Sequence, residues 1–245
     1  AEGQSSGTVS TPVSNDTYQG HAPVTNSISH VSGGNYENLV TNPAPVTTGV
    51  TDVQDTTTVT LTATPSAVEG GTIVYTASVG TPVTGSPVVV TLANGQTITI
   101  PVGQSSSTVS MPVSNDVYQG HAPVTNSITN VSGGNYENLV GNPTSVSTTI
   151  TDSQDTTTVS LSATPSVAEG GSIIYTATLT NPAASPVTVT LSNGQTITIG
   201  ANQTSGSVTV AAPGDDPYLD AGSVSPRITG ASGGNFAHLA VHGAA

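Results

Sequence analysis

The chain has 245 residues, with 14 carboxylates, one arginine (Arg227), no lysine and no cysteine, for a formal net charge of −13. So little positive charge excludes binders of nucleic acid or anionic membranes, which draw their affinity from Lys and Arg. The absence of cysteine removes disulfide staples and thiolate metal sites, and no run approaches the roughly 18 apolar residues of a membrane span.

The opening AEGQSSGTVS has neither the basic region nor the apolar core of a signal peptide. It aligns with PVGQSSSTVS at 101–110, so the chain reads as an excerpt of something longer, entered in mid-repeat. The period is 100 residues. SNDTYQGHAPVTNSIS at 14–29 returns as SNDVYQGHAPVTNSIT at 114–129, and TDVQDTTTV at 51–59 returns as TDSQDTTTV at 151–159. VSGGNYENLV at 31–40 returns unchanged at 131–140 and, weakened to ASGGNFAHLA, at 231–240. Such a period matches a whole small domain rather than one supersecondary unit.

Within the repeat that is whole, Thr and Ser alternate with Val, Ile and Leu at period two, the signature of half-buried strands. The runs predict strands A (56–64), B (72–79), C (87–92), D (96–101), E (106–113), F (123–131) and G (146–150). Asn94-Gly95 and Asn193-Gly194 predict two-residue C–D hairpins with both turn residues at positive φ. No window carries a helical period. Seven short antiparallel strands per repeat imply an all-β fold: tandem immunoglobulin-like, seven-stranded Greek-key sandwiches in an elongated array. With no Trp and one Phe, the core must rest on Val, Ile, Leu and Thr. Tyr118 falls at the E–F corner, where such sandwiches often place a Tyr whose hydroxyl bonds back to the main chain; an ordinary half-buried loop Tyr is the plain alternative. The repeats divide as 1–51 (strands E to G of a preceding copy), 52–151 (complete) and 152–245 (last strand without an obvious counterpart).

Every carboxylate except Glu2 lies in a recurring loop, and none lies inside a predicted strand. The loops are the TDxQD linker (Asp52, Asp55; Asp152, Asp155), the EGG loop (Glu69; Glu169), the E–F loop (Asp16; Asp116; Asp215, Asp216, Asp220) and GGNYENL (Glu37; Glu137). In a sandwich of this topology the A–B, C–D and E–F loops share the end where strand G leaves. Glu69, Asp116, Asp152 and Asp155 should therefore converge, with Asn235 of the next F–G loop facing them. By the same logic Asp16, Asp52 and Asp55 should meet Asn135 and Glu137. Carboxylates so gathered repel one another, and almost no side-chain cation is available. A hard divalent cation can neutralise them through carboxylate, amide and carbonyl oxygens, which points to calcium (Ca2+). Solvated loop acids are the plain alternative, but scattered acids would fall on strand surfaces too. His21 and His121 recur beside Asp16 and Asp116 and are expected on the loop surface, because Ala221 stands at the third position.

TDxQDTTTVxLxATPS, VAEGGSIIYTATLTNPA, LSNGQTITI and GDDPYLDAGSV followed by ITGASGGNF together resemble the extender repeats of giant bacterial adhesins, type I-secreted RTX-class surface proteins of biofilms. The resemblance implies immunoglobulin-like sandwiches with calcium-binding linkers, secreted unfolded and folded outside the cell. Asp52, Asp55, Glu69, Asp116, Asp152, Asp155, Glu169, Asp215 and Asp216 occupy matching motif positions. Two departures stand out: SNDVYQGHA has fewer acids than GDDPYLDAG, and AHL replaces ENL at 237–239, removing a ligand from that position.

The function expected is a structural extender of a bacterial cell-surface adhesin, a monomeric array stiffened by calcium. Its partners would be calcium ions and the neighbouring repeats, not nucleic acid or a membrane interior. A glycan- or protein-binding module and a self-assembling filament are the alternatives. No catalytic residues are assigned, since tandem copies of an active site are unusual.

Overall fold

The computed structural model describes residues 3–214, 217 and 222–242. Among the described residues every regular element is a strand. The half repeat holds β1 (Val24–Asn26) and β2 (Val46–Thr48). The whole repeat holds β3 (Thr56–Ala63), β4 (Ser66–Val68), β5 (Thr72–Ser78), β6 (Val88–Leu92), β7 (Thr97–Ile100), β8 (Ser106–Pro112), β9 (Val124–Asn126), β10 (Ile128–Ser132), β11 (Asn138–Gly141) and β12 (Val146–Thr151). The last repeat holds β13 (Thr156–Ala163), β14 (Ser172–Leu179), β15 (Val187–Leu191), β16 (Thr196–Ile199), β17 (Ser205–Ala211), β18 (Ile228–Gly233) and β19 (His238–Val241).

The strands assemble into two compact units that cut across the repeats. One comprises Ala1–Ala63, Val74–Val109 and Thr125–Val146; the other comprises Thr64–Ile73, Ser110–Val124 and Ser147–Ala245. Each contains one junction between successive repeats.

In the second unit the last repeat forms a sandwich of two sheets, ordered β17-β14-β13-β19 and β16-β15-β18. Alternate residues of β13 and β14 (Val159, Ile173, Tyr175, Ala177, Leu179) bury against those of β15 and β16 (Val187, Val189, Leu191, Ile197, Ile199). The intervening Thr and Ser face outward, as the period-two pattern requires. In the first unit Val59, Leu61, Tyr75 and Ala77 are buried together with Val88, Val90, Leu92, Ile98 and Ile100, on sheets ordered β11-β3-β5-β8 and β10-β6-β7. In Greek-key letters the sheets are E-B-A and D-C-F, the immunoglobulin-like division, with D on the C edge.

The structure departs from the expected strands in four places. Strand F, expected at 123–131, divides at Ser127 into β9 and β10, which lie in different sheets. Strand A continues after Pro65 as the short β4, which pairs in parallel with β12 through Thr149↔Ser66 to Thr151↔Val68. The ENLV and HLAV segments are not loop. They form β11 and β19, parallel to the start of β3 and β13. In the half repeat only β1 and β2 pair, and the E segment at 6–13 has no strand, with Val9 86% exposed. In the last repeat the equivalent E segment is a strand because it pairs along the whole of β14; residues 6–13 have no such neighbour. The C–D hairpins also differ in turn type. Gly95 is at φ 84 and Gly194 at φ 85, but Asn94 and Asn193 are not at positive φ. Leu92 N–H donates to Gln96 O (2.9 Å) and Gly95 N–H to Leu92 O (3.0 Å), the pattern of a three-residue loop with a glycine bulge.

Candidate cation site

Each junction begins with a clasp between the E–F loop of one repeat and the F–G loop of the next. At the first, Tyr18 and Tyr136 form an antiparallel bridge. Gln19 N–H donates to Asn135 O (2.9 Å), Glu137 N–H to Thr17 O (3.1 Å), and Asn135 Nδ2 to Gln19 O (3.0 Å). The two rings stack with centroids 5.5 Å apart, and the Tyr18 hydroxyl donates to Pro82 O (2.6 Å). Burial, partly opposed by the Thr81 side chain, raises the Tyr136 hydroxyl above the ordinary tyrosine pKa, and the hydroxyl donates to Thr81 O (2.8 Å).

The second junction repeats this with Tyr118 and Phe236. Gln119 N–H donates to Asn235 O (2.9 Å), Ala237 N–H to Val117 O (2.9 Å), and Asn235 Nδ2 to Gln119 O (3.0 Å). The rings stack at 5.7 Å, and the Tyr118 hydroxyl donates to Pro182 O (2.7 Å). Tyr118 therefore bonds forward into the next repeat, not back into its own. The paired glycines of SGGN make this approach possible. Gly233 is at φ 97, and a Cβ there would sit 2.2 Å from Pro186 O; a Cβ on Gly234 would strike the Phe236 ring at 2.3 Å.

Beneath the second clasp the predicted acids gather. Glu69 has a side chain with no exposure, and its Oε2 accepts from Ser153 N–H (3.1 Å) and Oγ (3.2 Å). Asp116 Oδ1 accepts from Tyr118 N–H (2.7 Å), leaving Oδ2 free for other partners. Both oxygens of Asp152 lie within reach of Gly120 N–H (3.1 and 3.0 Å). Asp155 accepts from Asn115 Nδ2 (2.9 Å) and from the Ser153 hydroxyl. Glu69 Oε1, by contrast, is buried and has no hydrogen bond. Ligand atoms of Glu69, His121 and Asp152 all lie within 4.8 Å of one another.

The first junction carries the same frame with a different fourth acid. Asp16 accepts from Tyr18 N–H (2.8 Å), and Asp52 from Gly20 N–H (2.7 Å). Asn15 Nδ2 donates to Asp55, whose own N–H donates to Glu137 Oε2. Glu137 Oε1 is buried without a hydrogen bond. Ala237 replaces this glutamate at the second junction.

Asp16, Asp52, Asp55 and Glu137 are thus brought to one junction, and Glu69, Asp116, Asp152 and Asp155 to the other. Asn135 and Asn235 also reach their junctions, but each spends its amide nitrogen on a main-chain carbonyl of the clasp. Glu169 is exposed, and Asp215, Asp216 and Asp220 lie outside the described residues.

The histidines correct the sequence reading. His21 Nε2 lies 3.4 Å from Asp52 Oδ1, and its Nδ1 4.0 Å from Asp16 Oδ2. His121 Nε2 is in direct contact with Glu69 Oε1, 3.7 Å from Asp152 Oδ1 and 4.0 Å from Asp116 Oδ2. Neither is free loop surface. Their fixed position five residues after Asp16 and Asp116 was the available signal, and the alanine at 221 masked it. Among the described residues no Lys or Arg pairs with a junction carboxylate, leaving these imidazoles as their basic partners.

Among the described residues the second junction gathers Glu69, His121 and Asp152 in a group that could hold a cation; at the first, Glu137 Oε1 is the buried oxygen without a hydrogen bond. Carboxylates, joined at the second junction by the Ser153 hydroxyl, are donors of the kind hard divalent cations take.

No curated protein matches the chain. Among solved structures, the human OSCAR ligand-binding domain is similar at 10% identity, covering 63% of this chain and 82% of that one with a TM-score of 0.20, which adds nothing to the topology above. The LapA-domain family matches residues 1–53, 55–153 and 155–245. The chain therefore belongs to the LapA-domain family and consists of repeats of the biofilm-adhesin type.

Proposed function

We propose that this segment is an extender of a bacterial cell-surface adhesin, and that calcium bound at its junctions stiffens it to hold a distal binding region away from the cell. The observation that carries this reading is a buried carboxylate oxygen without a hydrogen bond at each junction, Glu69 Oε1 and Glu137 Oε1, in a chain with one arginine and no lysine. Burying carboxylate charge that is only partly compensated is costly. A divalent ion shared by Glu69, Asp116, Asp152 and Asp155, or by Asp16, Asp52, Asp55 and Glu137, offsets that cost. It also ties the outgoing linker to loops of both repeats. The aromatic clasp sets the approach, and the ion removes the charge repulsion that would otherwise work to open it.

Extracellular modules hold calcium with dissociation constants of roughly 10⁻⁴–10⁻³ M. At calcium tenfold above such a constant each site adds about 1.4 kcal/mol. The same sites would stay empty where calcium is scarce, which suits export before folding. Calorimetric titration of the metal-free chain with calcium tests the reading. Saturable binding that raises the melting temperature is expected; no heat and no thermal shift would reject it.

A further inference from the structure

We infer that the second junction is built for a zinc-class dication, held by Glu69, His121 and Asp152 with Asp116 as the fourth donor. This rests on reading the junction as a cation site and adds a second class of ion, which would compete there with calcium. The reason is the nitrogen. Calcium takes oxygen ligands almost exclusively, whereas neutral imidazole suits zinc and the later first-row metals. Here an imidazole nitrogen stands at the centre of the carboxylates rather than at their rim. His121 Nε2 touches Glu69 Oε1 and lies 3.7 and 4.0 Å from oxygens of Asp152 and Asp116.

Two further observations point to a ligand. Glu69 is 5% exposed, and its Oε1 has no hydrogen bond although it aims directly at His121. His121 Nε2 is likewise buried without a hydrogen bond. Ligand atoms of Glu69, His121 and Asp152 all lie within 4.8 Å of one another, a neighbourhood that an ion about 2.1 Å from each could occupy, and Asp116 Oδ2 lies 4.0 Å from His121 Nε2. Each carboxylate is also held from outside the cluster: Glu69 by Ser153, Asp116 by the Tyr118 N–H, Asp152 by the Gly120 N–H. Such outer hydrogen bonds orient metal ligands and are part of what makes a site. The first junction offers His21 with Asp16 and Asp52, and among the described residues only the second gathers three such ligands within 4.8 Å of one another.

The test is calorimetric titration of the metal-free full chain with zinc alone, then with zinc in saturating calcium, alongside cobalt(II) absorption. One zinc per chain, bound at least tenfold tighter than calcium, is expected, with visible cobalt bands of a four-coordinate nitrogen-containing site. His121→Gln should weaken zinc at least tenfold, by more than it changes calcium affinity, and abolish those bands. Should H121Q fail to fold, Asp152→Asn must weaken zinc as strongly. Zinc bound no tighter than calcium, or unaffected by H121Q, overturns the inference and reduces His121 to an ion-pair partner; calcium binding would then still support the junction reading. Failure of both metals to bind rejects both.

Discussion

At the scale of single residues, Glu69 has the largest consequences. Its carboxylate is buried, with one oxygen satisfied by Ser153 and the other facing His121. A group so placed should change the sign of its contribution with calcium. Glu69→Gln is expected to stabilise the metal-free chain by about 1 kcal/mol and to destabilise the calcium-loaded chain by a similar amount. Urea unfolding in EDTA and in millimolar calcium checks this, and a shift of the same sign in both would count against a cation role. Tyr118 acts differently, through the stack on Phe236 and the bond to Pro182 O. Tyr118→Phe should cost about 1 kcal/mol and Tyr118→Ala about 2–3 kcal/mol, in EDTA as in calcium. The sequence marked Tyr118 as a corner residue but not its acceptor, which lies 64 residues away in the next repeat. Likewise, His121 looked like surface because only the fold brings the EGG loop against it.

At the scale of elements, strands were legible wherever a partner lay close in sequence and one face was buried. β3, β5, β6, β7 and β8 fall within a residue or two of the alternating runs. β4, β11 and β19 were not legible, because they are short parallel strands whose partners are distant and whose sequences do not alternate. The carboxylate positions, in contrast, were readable from loop connectivity alone, since antiparallel topology decides which loops share an end. The SGGN turn is the element most exposed to a small change. Gly233→Ala places a methyl group against Pro186 O and forces an alanine to positive φ, at an expected cost of about 1–3 kcal/mol to the last repeat. Thermal unfolding of that variant should show the loss. Ala237→Glu would restore at the second junction the acid that Glu137 supplies at the first. Its expected outcome is a larger calcium-induced rise in melting temperature than wild type. Alkaline pH should loosen the first junction. The Tyr136 hydroxyl is raised in the folded state, so its stabilisation is complete below the ordinary tyrosine pKa of about 10 and is lost as pH rises through the folded value. Ultraviolet titration of the tyrosinate against unfolding would follow it.

At the scale of the whole molecule, the compact units and the sequence repeats do not coincide. Each unit encloses a junction, and the whole repeat contributes its Glu69 end to one and its Asn135 end to the other. The repeat was visible in the sequence because near-identical copies must align; the unit was not, because it is defined by contacts that cross the period. This arrangement is what a cation-stiffened extender requires, since the acids must lie where successive repeats meet. Under the proposed function, calcium at those meeting points removes hinges. Small-angle scattering of the full chain in millimolar calcium and in excess EDTA tests it most directly. A well-defined, longest maximum dimension is expected in calcium, and a shorter mean extension with a broadened distance distribution in EDTA. Superimposable distance distributions in the two solutions, with the chain folded in both, would contradict it.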